Sequence, residues 1–305
     1  MEQSKDPGLG SKFSVPIKRF LNEDGTYNIK RVGGIRGLKD FYKYLLDISW
    51  SRFLLILFGS YFIFVLLFAI LLYFADINQL SNTYEGFHPF WTAFFFSAQT
   101  LTTLGYGYIS PIGFSANFIA TTEAFIGLSI TALATGLIYG RFSKPLLKLA
   151  FSHNAIISPF ENTTALMFKM VNTRDNVLIK SKVSTILIID KGEGDDPYNK
   201  DYHNLELELD TILFFPLSWT VVHKITSDSP LYNLTVSDLN RRHAELVVLF
   251  ETFDETFGQE IIQKHSYAGD QWLENVKFDL IYGPNEKGQL EIQVKNINLF
   301  SPINN

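Results

Sequence analysis

The sequence predicts a membrane α-helical fold of two transmembrane helices with a shorter pore-type helix between them, followed by a C-terminal all-β, immunoglobulin-like sandwich domain. Three observations carry this. Residues 53–74 and 114–138 are long, nearly uncharged apolar runs, each enough for the ~20 residues that a bilayer crossing takes. Between them lies an aromatic stretch that runs into a Gly-rich loop. After Pro145 the texture changes to short β-branched or alternating runs divided by turn residues, the pattern of a sandwich. The expected divisions are an N-terminal cytoplasmic segment, 1–49; a membrane part, 50–142; and a linker with the β domain, 143–305.

A chain of 305 residues can hold these two domains. Its 28 Phe residues supply ample apolar surface for lipid contact or packing. With no cysteine, disulfides and thiolate metal sites are excluded. Six histidines (His88, His153, His203, His223, His243, His265) are scattered without ligand-like spacing. Residues 1–49 are polar, and nothing there reads as a secretory signal. The net charge of -5 conceals a split. Residues 1–149 carry 13 Lys/Arg against 9 Asp/Glu, and residues 150–305 carry 13 against 22. No basic stripe accompanies a nucleic-acid-binding fold, so no nucleic-acid partner is expected. No nucleotide loop, nucleophile elbow or metal-ligand spacing supports an enzyme.

Taken in order, the first element is Leu38–Asp47. Leu38, Phe41, Tyr42, Leu45 and Leu46 share one helical face, with Asp40, Lys43 and Asp47 opposite. Such a helix lies along the inner membrane surface or packs on its own protein. The first span follows at 53–74. Residues 1–49 hold nine Lys/Arg, residues 75–113 hold none, and Arg141, Lys144 and Lys148 follow the second span. Both termini are therefore expected in the cytoplasm. The second span carries small residues suited to close helix packing (Gly127, Ser129, Ala132, Ala134, Gly136). It also carries Glu123, and an acid within a span is a functional hypothesis by default. Its expected role is support of the preceding helix or loop base, through Gln99 or Thr102. In the distal half, runs 164–171, 177–190, 205–215 and 245–250 read as strands, with turns at 192–197, 227–230 and 283–285.

The chemistry lies in Thr102-Thr103-Leu104-Gly105-Tyr106-Gly107-Tyr108-Ile109. A polar loop at membrane depth is tolerated only if it is buried in protein or lines a watery path. Pro89 suits the first turn of a short helix running to about Thr100. The C-terminal end of that helix carries partial negative charge, favourable to a cation. Trp91, Phe94, Phe95 and Phe96 form an aromatic collar behind the loop. Gly105 and Gly107 can take backbone angles closed to other residues, which lets successive carbonyls face one way. Thr103, Leu104, Gly105, Tyr106 and Gly107 then form an ion-binding strand. Thr-Leu-Gly-Tyr-Gly differs by one residue from the Thr-Val-Gly-Tyr-Gly filter of potassium channels, so the ion is assigned here by recognition of a motif. Two spans and one loop cannot enclose a hole, and closed symmetry of identical subunits is the usual solution.

The filter, the two-span layout, Phe151-Ser152-His153-Asn154-Ala155 and Ser227-Asp228-Ser229-Pro230-Leu231-Tyr232 resemble inward-rectifier potassium channels, above all their prokaryotic branch. The resemblance covers about 22–300. It implies a homotetramer in the cell membrane that conducts potassium passively, with Leu38–Asp47 as a slide helix. Gly127 falls at the hinge of the inner helix, Tyr139 at its constriction or gate, and Thr131 at the cavity position. Trp50 matches an interfacial tryptophan. Thr131 is neutral, so only weak rectification and weak block by magnesium or polyamines are expected. Gln99 and Ile109 stand where relatives pair an acid with an arginine behind the filter. Bracing then falls to the collar, Tyr106 and Glu123. Pro145-Leu146-Leu147-Lys148 keeps a single basic residue of the family's lipid contact. Lys144, Lys148 and Arg52 either meet anionic lipid, at about 1 kcal/mol each, or simply anchor the inside. The acidic β domain either gathers cations at a vestibule or keeps itself soluble. No cofactor is expected beyond the permeant ion. A membrane-anchored sensor has no need of a filter loop, and potassium uptake transporters usually carry several such loops in a longer chain.

Overall fold

A computed structural model describes residues 6–10, 13, 17, 19–22, 25–30, 32–33, 37–82, 88–143, 149–191 and 199–303. Lys144 and Lys148, the side chain of Leu38, Gly86-Phe87 and the expected turn at 192–197 lie outside them. The chain divides into two compact units, Met1–Val32 with Pro145–Asn305, and Gly33–Lys144. Residues 1–49 are thus shared between the units.

The second unit is helical. Its elements are α1 (Leu38–Asp47), α2 (Trp50–Asp76), α3 (Pro89–Leu101) and α4 (Phe114–Phe142). The apolar runs set the two long helices, each extended by a few residues beyond the run itself. In α3, Pro89 occupies the first turn and His88 caps it, its Nδ1 accepting from the Phe90 amide at 3.2 Å. Ala93 and Phe96 of α3 are buried with Ala69 and Leu72 of α2 and Ala116 and Ala120 of α4. The rest of the collar stays together at the surface of this packing, with Trp91–Phe94 and Phe94–Phe95 ring centroids 5.5 and 5.6 Å apart.

The first unit is a two-sheet sandwich. One sheet runs β1 (Leu149–Phe151), β3 (Thr163–Asn172), β2 (Ala155–Phe160), β10 (Trp272–Glu274), with β7 (Ser218–Ile225) on the other edge of β3. The other runs β5 (Lys200–Asn204), β4 (Leu178–Asp190), β8 (Glu245–Asp254), β9 (Gln259–Ala268), with β6 (Thr211–Phe214) also on β4. Alternate residues face inward. Leu166, Phe168, Met170, Trp219 and Val221 from the first sheet meet Val183, Leu187, Leu246, Val248 and Phe250 from the second. A second apolar layer holds Ala165, Met167, Val222 and Ile156 under Leu273, Val276 and Phe278.

The N-terminal segment belongs to this sandwich. The Phe20 and Leu21 amides donate to the buried Glu245 carboxylate at 2.6 and 3.1 Å. Arg19 donates to Ser266 through both Nε and Nη2. Phe20 packs with Ile188 and Tyr202.

Candidate functional site

The end of α3 leads directly into the Gly-rich loop. The Thr102 hydroxyl donates to the Ala98 carbonyl at 2.8 Å and the Thr103 amide to Thr100 at 3.0 Å. The Leu104 and Gly105 amides then both turn back onto the Gln99 carbonyl, at 2.9 and 3.3 Å. Gln99 therefore enters the site through its backbone. Beyond this anchor φ is +59° at Thr103, +52° at Gly105 and +82° at Gly107, whereas Leu104 and Tyr106 keep negative φ. A backbone alternating in hand residue by residue turns successive carbonyls to one side, unlike a β-strand. A Cβ at Gly105 or Gly107 would meet nothing within 4 Å in the single chain. Glycine is needed there for the sign of φ. Thr103 shares the pattern without being glycine, which the sequence reading did not foresee.

Behind the loop, α4 meets α3 at Glu123 and at Gly127 as well as through the apolar packing above. Glu123 is fully buried, and Oε1 accepts from the Ser97 hydroxyl. Ser97 Oγ also lies 3.1 Å from the Val65 carbonyl of α2. Glu123 thus reaches α3 through Ser97, a residue the sequence reading did not single out, and not through Gln99 or Thr102. Glu123 Oε2 has no hydrogen-bond partner among the described residues. One turn further, Gly127 lies so close to α3 that a Cβ there would sit 2.2 Å from the Leu101 carbonyl oxygen. Ile109 is buried at the far end of the loop among Leu80, Phe96 and Ala116.

Lower on α4, the Thr131 hydroxyl is spent on the Gly127 carbonyl at 2.9 Å. Tyr139 is exposed in the single chain. Arg141 draws three elements together. Its guanidinium donates to the Leu45 and Ile48 carbonyls at 2.6 and 2.7 Å, closing the C-terminal end of α1. It also lies 4.6 Å over the Trp50 ring and 4.7 Å over Phe53. Trp50 packs on Phe142 as well, while Arg52 is exposed.

In the sandwich the two sequence elements that marked the resemblance are structural joints. Ser152 Oγ accepts from the Lys169 amide, and Phe151 stacks on His265 at 4.5 Å. Ser229 Oγ lies 2.8 Å from His223 Nε2 and accepts from the Leu231 amide. Burial holds the His223 pKa below the ordinary histidine value.

Comparison with known proteins follows this layout. A family model described as an ion channel matches residues 60–144, and one described as the inward rectifier potassium channel C-terminal domain matches residues 149–304. The chain is 38% identical over 264 residues to the inward rectifier potassium channel Kirbac3.1 of Paramagnetospirillum magnetotacticum, covering 86% of this chain and 88% of that one. Among solved structures, a DNA-bound alkylpurine DNA glycosylase AlkC of Pseudomonas fluorescens pairs with 62% of this chain and 48% of its own at 10% identity and a TM-score of 0.20. At that score the pairing has no bearing on fold or function. The chain is an ion channel subunit and not an enzyme, and it belongs to the prokaryotic branch of the inward-rectifier potassium channel family.

Proposed function

We propose that four copies of this chain surround an axial path through which potassium passes down its gradient, selected by the carbonyls of Thr103, Leu104, Gly105, Tyr106 and Gly107. The observation that carries this is the alternating hand at residues 103, 105 and 107, anchored on the Gln99 carbonyl. It supports a strand that offers a row of oxygens in place of the hydration shell of the ion. Tetramerisation, cytoplasmic placement of both termini and gating near Tyr139 belong to the same reading. Arg141, two residues beyond Tyr139 and bonded to the end of α1, supports α1 as the element that moves with the gate. Arg52, with Lys144 and Lys148, would serve as the anionic-lipid contact.

The test is flux. Gly105→Ala and Gly107→Ala should abolish rubidium uptake into proteoliposomes while leaving the tetramer intact on size-exclusion chromatography. Undiminished uptake in either variant would falsify the filter assignment.

A further inference from the structure

The inner end of the filter strand is tied to its own helix through Gln99. The outer end is tied to a different segment, residues 79–82, which follows α2. The Ile112 amide donates to the Gln79 carbonyl at 2.8 Å, and the Ser81 amide to the Ser110 carbonyl at 2.9 Å. The Ser110 amide donates to Ser81 Oγ at 2.9 Å, and the two serine hydroxyls lie 2.8 Å apart. Asn82 Nδ2 donates to the Tyr108 carbonyl at 2.9 Å, one residue past Gly107. Asn82 sits at φ +50°, a conformation that asparagine tolerates better than most residues. Leu80 bridges Pro111 and is buried with Ile109. Gln79 Oε1 accepts from the Ser115 hydroxyl at 2.7 Å, so the same segment also holds the first turn of α4.

We infer that residues 79–82 form a clamp, with Asn82 and the Ser81–Ser110 pair as positioning residues, that fixes the outer half of the filter and sets its preference for potassium over sodium. The inference rests on the channel reading above. Ions of one charge and different radius are told apart by where the carbonyls can and cannot move. A short strand holds its oxygens only if both ends are fixed, and Leu104 and Tyr106 between the ends are exposed in the single chain. Gln99 and Ile109 offer no ion pair behind the strand, and Ile109 contributes apolar packing alone. Directional bonds at the outer end run to 79–82. The Tyr108 carbonyl is held by Asn82.

The full-length tetramer is reconstituted in planar bilayers, and the potassium-to-sodium permeability ratio is read from reversal potentials. Asn82→Asp keeps the size of the side chain and removes the donor. Asn82→Gly keeps the left-handed backbone and removes the side chain. Ser81→Ala with Ser110→Ala removes the hydroxyl pair, whereas Ser81→Thr retains a hydroxyl. Asn82 is exposed in the single chain, and assembly of each variant is checked by size-exclusion chromatography before its ratio is read. The first three should lower the ratio about fivefold or more, the equivalent of about 1 kcal/mol for a lost hydrogen bond. Ser81→Thr should keep the wild-type ratio. Wild-type ratios in Asn82→Asp, Asn82→Gly and the serine double variant would overturn the clamp alone. A wild-type protein without potassium-selective current would overturn the channel reading, and the clamp with it.

Discussion

Thr103 is a β-branched residue at φ +59°, a conformation that costs of order 1–3 kcal/mol and persists only where the surroundings enforce it. Its neighbours do so: its own amide is bonded to Thr100, and the next two amides to Gln99. Glu123 is a second costly residue, a buried carboxyl group with one bonded oxygen, and removing Ser97 would leave it with neither oxygen satisfied. In the sandwich, His265 lies between Phe151, stacked at 4.5 Å, and the edge of Tyr267 at 4.6 Å. Burial first, and then the Arg19 and His153 charges, push its pKa down to about 4. The unfolded chain, with an ordinary histidine value near 6.5, takes up the proton first. Stability from this residue is therefore present above pH ~6.5 and is lost as pH falls toward 4. His265→Phe keeps the stack and takes no proton, so its melting temperature should fall less between pH 7 and 4.5 than that of the wild type. An equal fall in both proteins would remove His265 from the account.

Among elements, the joint between α3 and α4 is close at Gly127, and it has a single-residue test. Gly127→Ala forces a methyl group to within 2.2 Å of the Leu101 carbonyl, so the helices must part just beneath the filter. Overpacking of this kind costs about 1–3 kcal/mol. The variant tetramer should melt lower in detergent and take up rubidium more slowly, while Gly59→Ala in α2, where a Cβ meets nothing within 4 Å, should do neither. Melting unchanged from wild type would leave Gly127 free to act as the hinge that the resemblance implies. The helices were legible in the sequence because an apolar run has a length and Pro89 marks a start. Strands β3, β4 and β8 were legible from β-branched alternation. The run at 205–215 has the texture of one strand, yet only Thr211–Phe214 pairs as one. Leu205 and Leu207 instead pack on the core from an irregular stretch, with the Leu205 amide donating to Thr185. Strand β9 pairs with β8 along its whole length, but its polar composition shows no alternation to read. The filter was legible as a motif, and its anchors were not. Gln99, Leu45, Ile48 and Tyr108 all serve through backbone carbonyls, which leave no mark in a sequence.

At the scale of the whole molecule, the proposed pore needs more than one chain, and the cavity that Thr131 would line belongs to the proposed ring of four. A carboxylate there would be repeated fourfold about the axis, where mutual proximity and low solvent access magnify its field. Thr131→Asp should therefore sharpen block by internal spermine. Current–voltage curves that superimpose with and without spermine in that variant would displace Thr131 from the cavity. The membership of Met1–Val32 in the same unit as Pro145–Asn305 has a mechanical meaning. The polypeptide enters the helical unit from the sandwich and leaves it to the sandwich again, so the helical unit is strung between two covalent tethers. A body held by one cord can only be tugged, and it swivels under any other load. Held by two, it can also be given torque, through the residues ahead of α1 at one end and those after α4 at the other.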